Sequence, residues 1–365
     1  MTDNKSVIYF TVTLVACGEI VIGLIRSHKV GTVIGTVIGL VLILFGSFAS
    51  EISASQNERK IKIRHIGVIV YAEPFLKSYE GLRSGLQKKS FRLDEELIFA
   101  VHSIDRDLSK VESLVKKFAA ADFDLIYTVT TPVTQAVKAC MLKNRINIPV
   151  VFTVVADPVN SEIVTSLRHP GANITGISHV SKELLPQRLL RFKKAFPKIK
   201  QMAIFFDPGN EISKSSFKQR SLHLAARDLD VEMVVNQIHS LDDMTNVCRG
   251  LTVTDIDSIF MLPDARSVAY FKEFLKLSRR LQVPLMVIDN MLLKQGGVMG
   301  YSPDFYAVGV QSATLVDHIF NGVLPGELAV QNPEKVKLVV SLKELRVLDL
   351  EISEDILLQA DEVLR

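Results

Sequence analysis

After residue 62 the chain alternates short apolar runs with segments of helical spacing, and this alternation limits the possible folds more than any other feature. "IRHIGVIVYA", "LIFAVHSI", "FDLIYTVT" and "IPVVFTVVA" read as strands, with helices predicted over 77–89, 107–120 and 132–144. The pattern then restarts. "KIKQMAIFFD", "VEMVVNQI", "IDSIFMLPD", "VPLMVID" and "GGVMGYS" are strands, with helices over 214–229 and 267–281. Strands that alternate with helices pair in parallel under helices on both faces. Near-continuous Val, Ile and Leu runs suit strands covered on both sides. Two successive series predict two α/β lobes.

Two apolar runs come first. Residues 30–50, "VGTVIGTVIGLVLILFGSFAS", carry no charge and are long enough to cross about 30 Å of hydrocarbon. Residues 7–25 are interrupted by Glu19. We expect an N-terminal transmembrane helical segment of one or two helices, about 7–25 and 30–50, with a linker to residue 60. Gly31, Gly35 and Gly39 share one face of the second run, which suits close helix packing or simply reflects the glycine content of membrane helices. "LVAC", residues 14–17, also resembles a lipobox, although cleavage there would leave an apolar run that ordinary lipoproteins lack. With two crossings, Lys5, Arg59, Lys60, Lys62 and Arg64 outnumber Arg26 and Lys29 and put the long domain in the cytoplasm. A single crossing allows it to lie outside.

A net charge of +3 is too balanced for a nucleic-acid surface. Cys17, Cys140 and Cys248 form no CxxC and join no His/Cys cluster, so neither a metal site nor a disulfide framework is indicated. No cofactor is implied, because GxGxxG and GxxxxGK[ST] are both absent. GxSxG and HExxH are absent too, so a binding protein is expected and not an enzyme. His102, His169, His179 and His223 read as solvated loop or helix-surface residues, and "RLLRFKKAFPKIK" as a solvated helix face.

Ligands of open parallel sheets bind beyond the carboxyl ends of the strands. Tyr71, Glu73, Thr130, Thr131, Asp157, Asp207, Asp264, Asp289 and Asn290 all fall there. Any one aspartate has the simpler role of capping the next helix. Their recurrence in both halves favours a shared cleft. "TVTTPVTQAV" is the sharpest local signal: Pro132 suits a first helical turn, whose free N–H groups and dipole seat an anion. The hydroxyls of Thr130, Thr131 and Thr134 would add hydrogen bonds there.

"IGVIVYAEPF", "DLIYTVTTPVTQAV", "IPVVFTVVADPVNSEIVTSLRHPGANITGIS", "LLPQRLLRFKKAFPKIKQMAIFFDPGN" and "LVVSLKELRVLDLEISEDILLQADEVLR" follow one another along residues 63–365. Together they resemble the ABC-transporter substrate-binding protein family that includes tryptophan- and tyrosine-binding lipoproteins. That resemblance implies a type I periplasmic-binding fold of two Rossmann-like lobes hinged around a small ligand. Residues 61–180 plus about 301–328 would form one lobe, and 181–300 plus about 329–365 the other. Crossings are expected near 176–184, 290–301 and 325–335, with "GANITG" as a compact turn before the first. The helix of 305–321 would return to the first lobe and "VKLVVSL" would end in the second.

By the same resemblance the threonines would take an amino-acid carboxylate and Asp157 and Asp264 the ammonium, while Tyr71, Glu73, Asp289 and Asn290 would line the cleft. The chain departs from the family pattern at Ala156, where many members have Ser or Thr, and at "YAEPF", which lacks the His-Pro of aromatic binders. The expected role is a membrane-tethered solute-binding protein serving an ABC permease, with its domain outside the bacterial inner (cytoplasmic) membrane. The alternative is a membrane-anchored sensor that passes closure to a signalling partner.

Overall fold

The structure, a computed structural model, describes residues 63–263 and 265–365. Both N-terminal apolar runs lie outside the described residues. Among those described, no helix is long and apolar enough to cross a membrane.

The first series of apolar runs forms β1 (Arg64–Val70), β2 (Leu97–Ser103), β3 (Leu125–Val129), β4 (Val150–Val155) and β5 (Ile174–Ser178). They pair in parallel in the order β2-β1-β3-β4-β5. Every residue of β3, β4 and β5 is buried, as strands covered on both faces require. Helices α1 (Leu76–Lys88), α2 (Lys110–Ala120) and α3 (Thr131–Asn144) connect the first four strands. Val111, Val115 and Phe118 of α2 and Val133 and Val137 of α3 pack on one face of the sheet. Leu82 and Leu86 of α1 pack on the other.

After α4 (Leu185–Ala195) the second series repeats this order. β6 (Gln201–Phe206), β7 (Glu232–Gln237), β8 (Ser258–Phe260), β9 (Leu285–Val287) and β10 (Met299–Pro303) pair as β7-β6-β8-β9-β10. The intervening helices are α5 (Glu211–Phe217), α6 (Arg220–Asp228), α7 (Leu241–Gly250), α8 (Ala265–Ala269) and α9 (Phe271–Leu281). After α10 (Phe305–Phe320), β11 (Val336–Ser341) joins β10 antiparallel. α11 (Leu342–Val347), α12 (Glu354–Gln359) and β12 (Glu362–Leu364) complete the second lobe.

The repeat extends to single residues. Asp124, just before β3, accepts the His65 N–H at 2.9 Å. Asp257, just before β8, accepts those of Lys200 and Gln201 at 2.6 and 3.1 Å. Each aspartate thereby fixes the start of the neighbouring strand.

α10 returns to the first lobe through a contact that only glycine permits. A Cβ on Gly309 would stand 1.9 Å from the Ser78 carbonyl oxygen, and one on Gly81 2.0 Å from that of Tyr306. Under this contact the buried Tyr127 hydroxyl meets Ser78 at 2.7 Å and Ser312 at 3.2 Å. Cys140 and Cys248 are buried, and burial pushes the Cys248 thiol up to about 12.

Some elements differ from their sequence reading. The helix predicted over 214–229 breaks into α5 and α6, and that over 267–281 into α8 and α9. α7 was not anticipated; Ser240 caps it by accepting the Asp243 N–H at 3.1 Å. Only the start of "GANITG" is a turn, with Gly171 and Ala172 at φ 71° and 50°. Its remainder is β5, and a Cβ on Gly176 would fall 2.2 Å from the Phe152 carbonyl oxygen. The chain passes between lobes at 179–184, at Asp304 and at 332–335. The middle passage falls after 290–301, because pairing of Pro303 with Val336 keeps β10 in the second sheet.

Candidate functional site

Strand order reverses between β1 and β3 in one sheet and between β6 and β8 in the other, and ligands settle outside the carboxyl ends of strands at such points. Tyr71 and Glu73 lie just beyond β1, and Thr130 and Thr131 just beyond β3. Asp157 follows β4, Asp207 follows β6, and Asp289 and Asn290 follow β9. Asp264 lies outside the described residues.

The rim of the first sheet is strained. Thr130 sits at φ 90° and ψ 153°. Val154 and Val180, beside the tips of β4 and β5, sit at φ 57° and 45°. β-Branched residues rarely occupy this region, and such strain concentrates at functional sites. Two of them adjoin one irregularity: Thr130 N–H donates to Thr153 O at 3.0 Å, and the β4/β5 register shifts between Phe152 and Val155, around Val154.

The three threonines differ in what they have left to offer. Thr134 is fully buried and its hydroxyl donates to Thr130 O at 2.8 Å, so it braces the helix start from within. Thr131 Oγ1 accepts the Ala156 N–H at 3.2 Å. Thr130 Oγ1 is buried and has no partner, and the residue is 7% exposed. It lies at the N-cap of the 14-residue α3, beside N–H groups that no helical turn satisfies.

The aspartates are more committed than the sequence reading allowed. Asp157 accepts both nitrogens of Asn160, at 3.1 and 2.7 Å, and Lys182 Nζ stands 3.3 Å away. Asp207 accepts the Gly209 N–H at 2.8 Å and pairs with Arg266 at 2.7 Å. Asp289 accepts the Met291 N–H at 3.1 Å and faces His179 Nε2 at 3.3 Å. Asn290 donates its backbone N–H to Ser302 Oγ and its side chain to Lys337 O, both at 3.1 Å. Glu73 is exposed at the start of a short 3₁₀ turn.

Rings line the way from β1 to the first crossing. Tyr71 stands 6.5 Å from Phe75, Phe75 5.5 Å from Phe305, and Phe305 5.7 Å from His179. His179 is 8% exposed, which corrects its reading as a solvated residue. Arg188, placed by the sequence on a solvated face, is fully buried. It donates to Tyr301 O at 2.7 Å and Ser181 O at 2.8 Å. Burial pulls its guanidinium down to about 10 against the opposing charge of Asp289. The available signal for both was position: His179 directly follows β5, and Arg188 lies one helical turn past the first crossing.

A groove of about 890 Å³ lies elsewhere, at the amino end of the second sheet, lined by Phe196, Lys198, Asp257, Leu345 and Arg346. It touches none of the strand tips. Among the described residues no His, Cys, Asp and Glu group is arranged to hold a metal ion.

Residues 63–364 match the family model described as ABC transporter substrate binding protein. A tyrosine-binding protein of Clostridioides difficile is 24% identical over 335 residues, covering 90% of this chain and 94% of that protein. The ABC domain from Streptococcus pneumoniae in complex with L-Trp aligns with a TM-score of 0.69 at 21% identity, over 83% of this chain and 100% of that one. The ligand-free, open structure of a substrate binding protein with adhesive properties from Clostridium difficile gives 0.65 at 22% identity, over 83% and 99%. These likenesses show the two-sheet α/β fold of periplasmic binding proteins. With the family model matched across both sheets, the chain belongs to the ABC transporter substrate binding protein family.

Proposed function

We propose that this protein captures an aromatic α-amino acid between its two lobes and delivers it, chemically unchanged, to the permease of an ABC importer. The observation that carries the reading is Thr130: a strained, buried N-cap hydroxyl without a partner at the start of a long helix. A ligand carboxylate there would satisfy that hydroxyl and the free N–H groups of the first turn. It would also gain up to ~2 kcal/mol from the helix dipole when partly buried. The rings of Tyr71, Phe75 and Phe305 offer an apolar wall for the ligand side chain, which favours an aromatic ligand although the His-Pro of aromatic binders is missing. The tyrosine-binding relative and the L-Trp-bound neighbour support the same ligand class. Residues 7–25 and 30–50 would tether the domain outside the bacterial inner membrane.

Calorimetric titration of the full-length protein in detergent against the twenty amino acids tests this. L-Tyrosine or L-tryptophan should bind at about 1 μM or tighter, which is about −8 kcal/mol. A folded protein that binds none of the twenty would contradict it.

A further inference from the structure

His179 has no role in the reading above, yet it is a buried polar residue held at the first crossing. Its N–H donates to Val155 O at 2.7 Å, and its ring is buried against Phe305. Nε2 lies 3.3 Å from Asp289, a carboxylate of the second lobe that the Met291 N–H holds in place. Nδ1 is buried and has no partner. When Nε2–H donates to that carboxylate, Nδ1 is left as a lone-pair acceptor. A buried acceptor of this kind calls for a hydrogen-bond donor.

The sequence offered Asp157 and Asp264 to an amino-acid ammonium; Asp157 is taken by Asn160 and Lys182, and Asp264 lies outside the described residues. His179 Nδ1 has no such partner. Thr131 bonds Ala156 and His179 bonds Val155, so the tips of β3, β4 and β5 are tied in register. Thr130 and His179 therefore stand at the tips of strands two apart in the first sheet.

We infer that His179 recognises the ligand's α-ammonium through Nδ1, while Asp289 holds the ring from the opposite side. The inference rests on the amino-acid reading of the Thr130 site. It also gives Asp289 a positioning role in place of direct ligand contact.

The test titrates full-length wild type, His179→Phe and His179→Asn with L-tyrosine, L-tryptophan and their deaminated analogues, 3-(4-hydroxyphenyl)propanoate and 3-(indol-3-yl)propanoate. His179→Phe keeps a ring and loses the acceptor; it should weaken the amino acids at least tenfold and the analogues less than twofold. His179→Asn keeps an acceptor near Nδ1 and should recover most of the loss. If His179→Phe does not fold, Asp289→Asn supplies the same comparison, with the amino acids again weakened more than the analogues. Equal losses for both ligand types, or no loss, would overturn the inference alone. Wild type that binds neither amino acid would overturn the parent reading, and this inference with it.

Discussion

At Thr130 a β-branched side chain is held at φ 90°, at a cost on the order of 1–3 kcal/mol. Glycine adopts that conformation freely, and its greater chain entropy offsets only part of the gain. Thr130→Gly should therefore raise the unfolding free energy by about 1 kcal/mol in urea melts while weakening ligand about tenfold, since it removes one hydrogen bond to a charged group. A variant that is both less stable and unchanged in binding would remove Thr130 from the site. The sequence showed that a helix begins at "TTP", but not which hydroxyl stays available. Thr131 and Thr134 are the same residue type nearby, but Thr134 bonds Thr128 of β3 and Thr131 Oγ1 accepts the Ala156 N–H just beyond β4. His179 was hidden for a related reason: its burial depends on Phe305 and Asp289, both more than a hundred residues away in the chain.

α1 and α10 touch backbone to backbone at Gly309, so any side chain there must separate the helices. Gly309→Val should cost about 3 kcal/mol, visible as a lowered thermal midpoint by circular dichroism. An unchanged midpoint would mean that the helices sit further apart. A second element-scale tie is Asp304, which caps α10 at the middle crossing and bonds Lys337 of β11 at 2.5 Å. Burial pushes the Asp304 carboxyl up, but Lys337 and the Ala307 N–H outweigh it and hold the group below its ordinary value. A depressed carboxyl contributes stability that is full above its unfolded pKa, about 3.9, and is lost as pH falls through the folded value. Lys337→Met should thus cost about 1–2 kcal/mol at pH 7, with the gap to wild type narrowing as pH falls below the unfolded value. A gap independent of pH, in urea titrations at pH 7, 5 and 3, would contradict the coupling. Long apolar runs such as "IPVVFTVVA" were legible as strands because composition and flanking turns agree. β5 was lost inside a turn signal, and the break between α5 and α6 at Lys218 and Gln219 carries neither Pro nor Gly.

Across the whole molecule, two sheets that share one order over five strands are joined by three crossings, and the carboxyl edge of the first carries the partnerless Thr130 hydroxyl and His179 nitrogen. The doubled alternation made this architecture legible. The antiparallel β11 at the end of the parallel run was not legible, since "VKLVVSL" shows only that it is a strand. The central claim is that an amino acid binds at this edge, and a crystal structure of the protein grown with L-tyrosine tests it most directly. The account predicts the ligand carboxylate within hydrogen-bonding distance of Thr130 Oγ1 and the ammonium against His179 Nδ1. Density for the ligand in the groove beside Phe196 and Leu345, with Thr130 and His179 untouched, would contradict it.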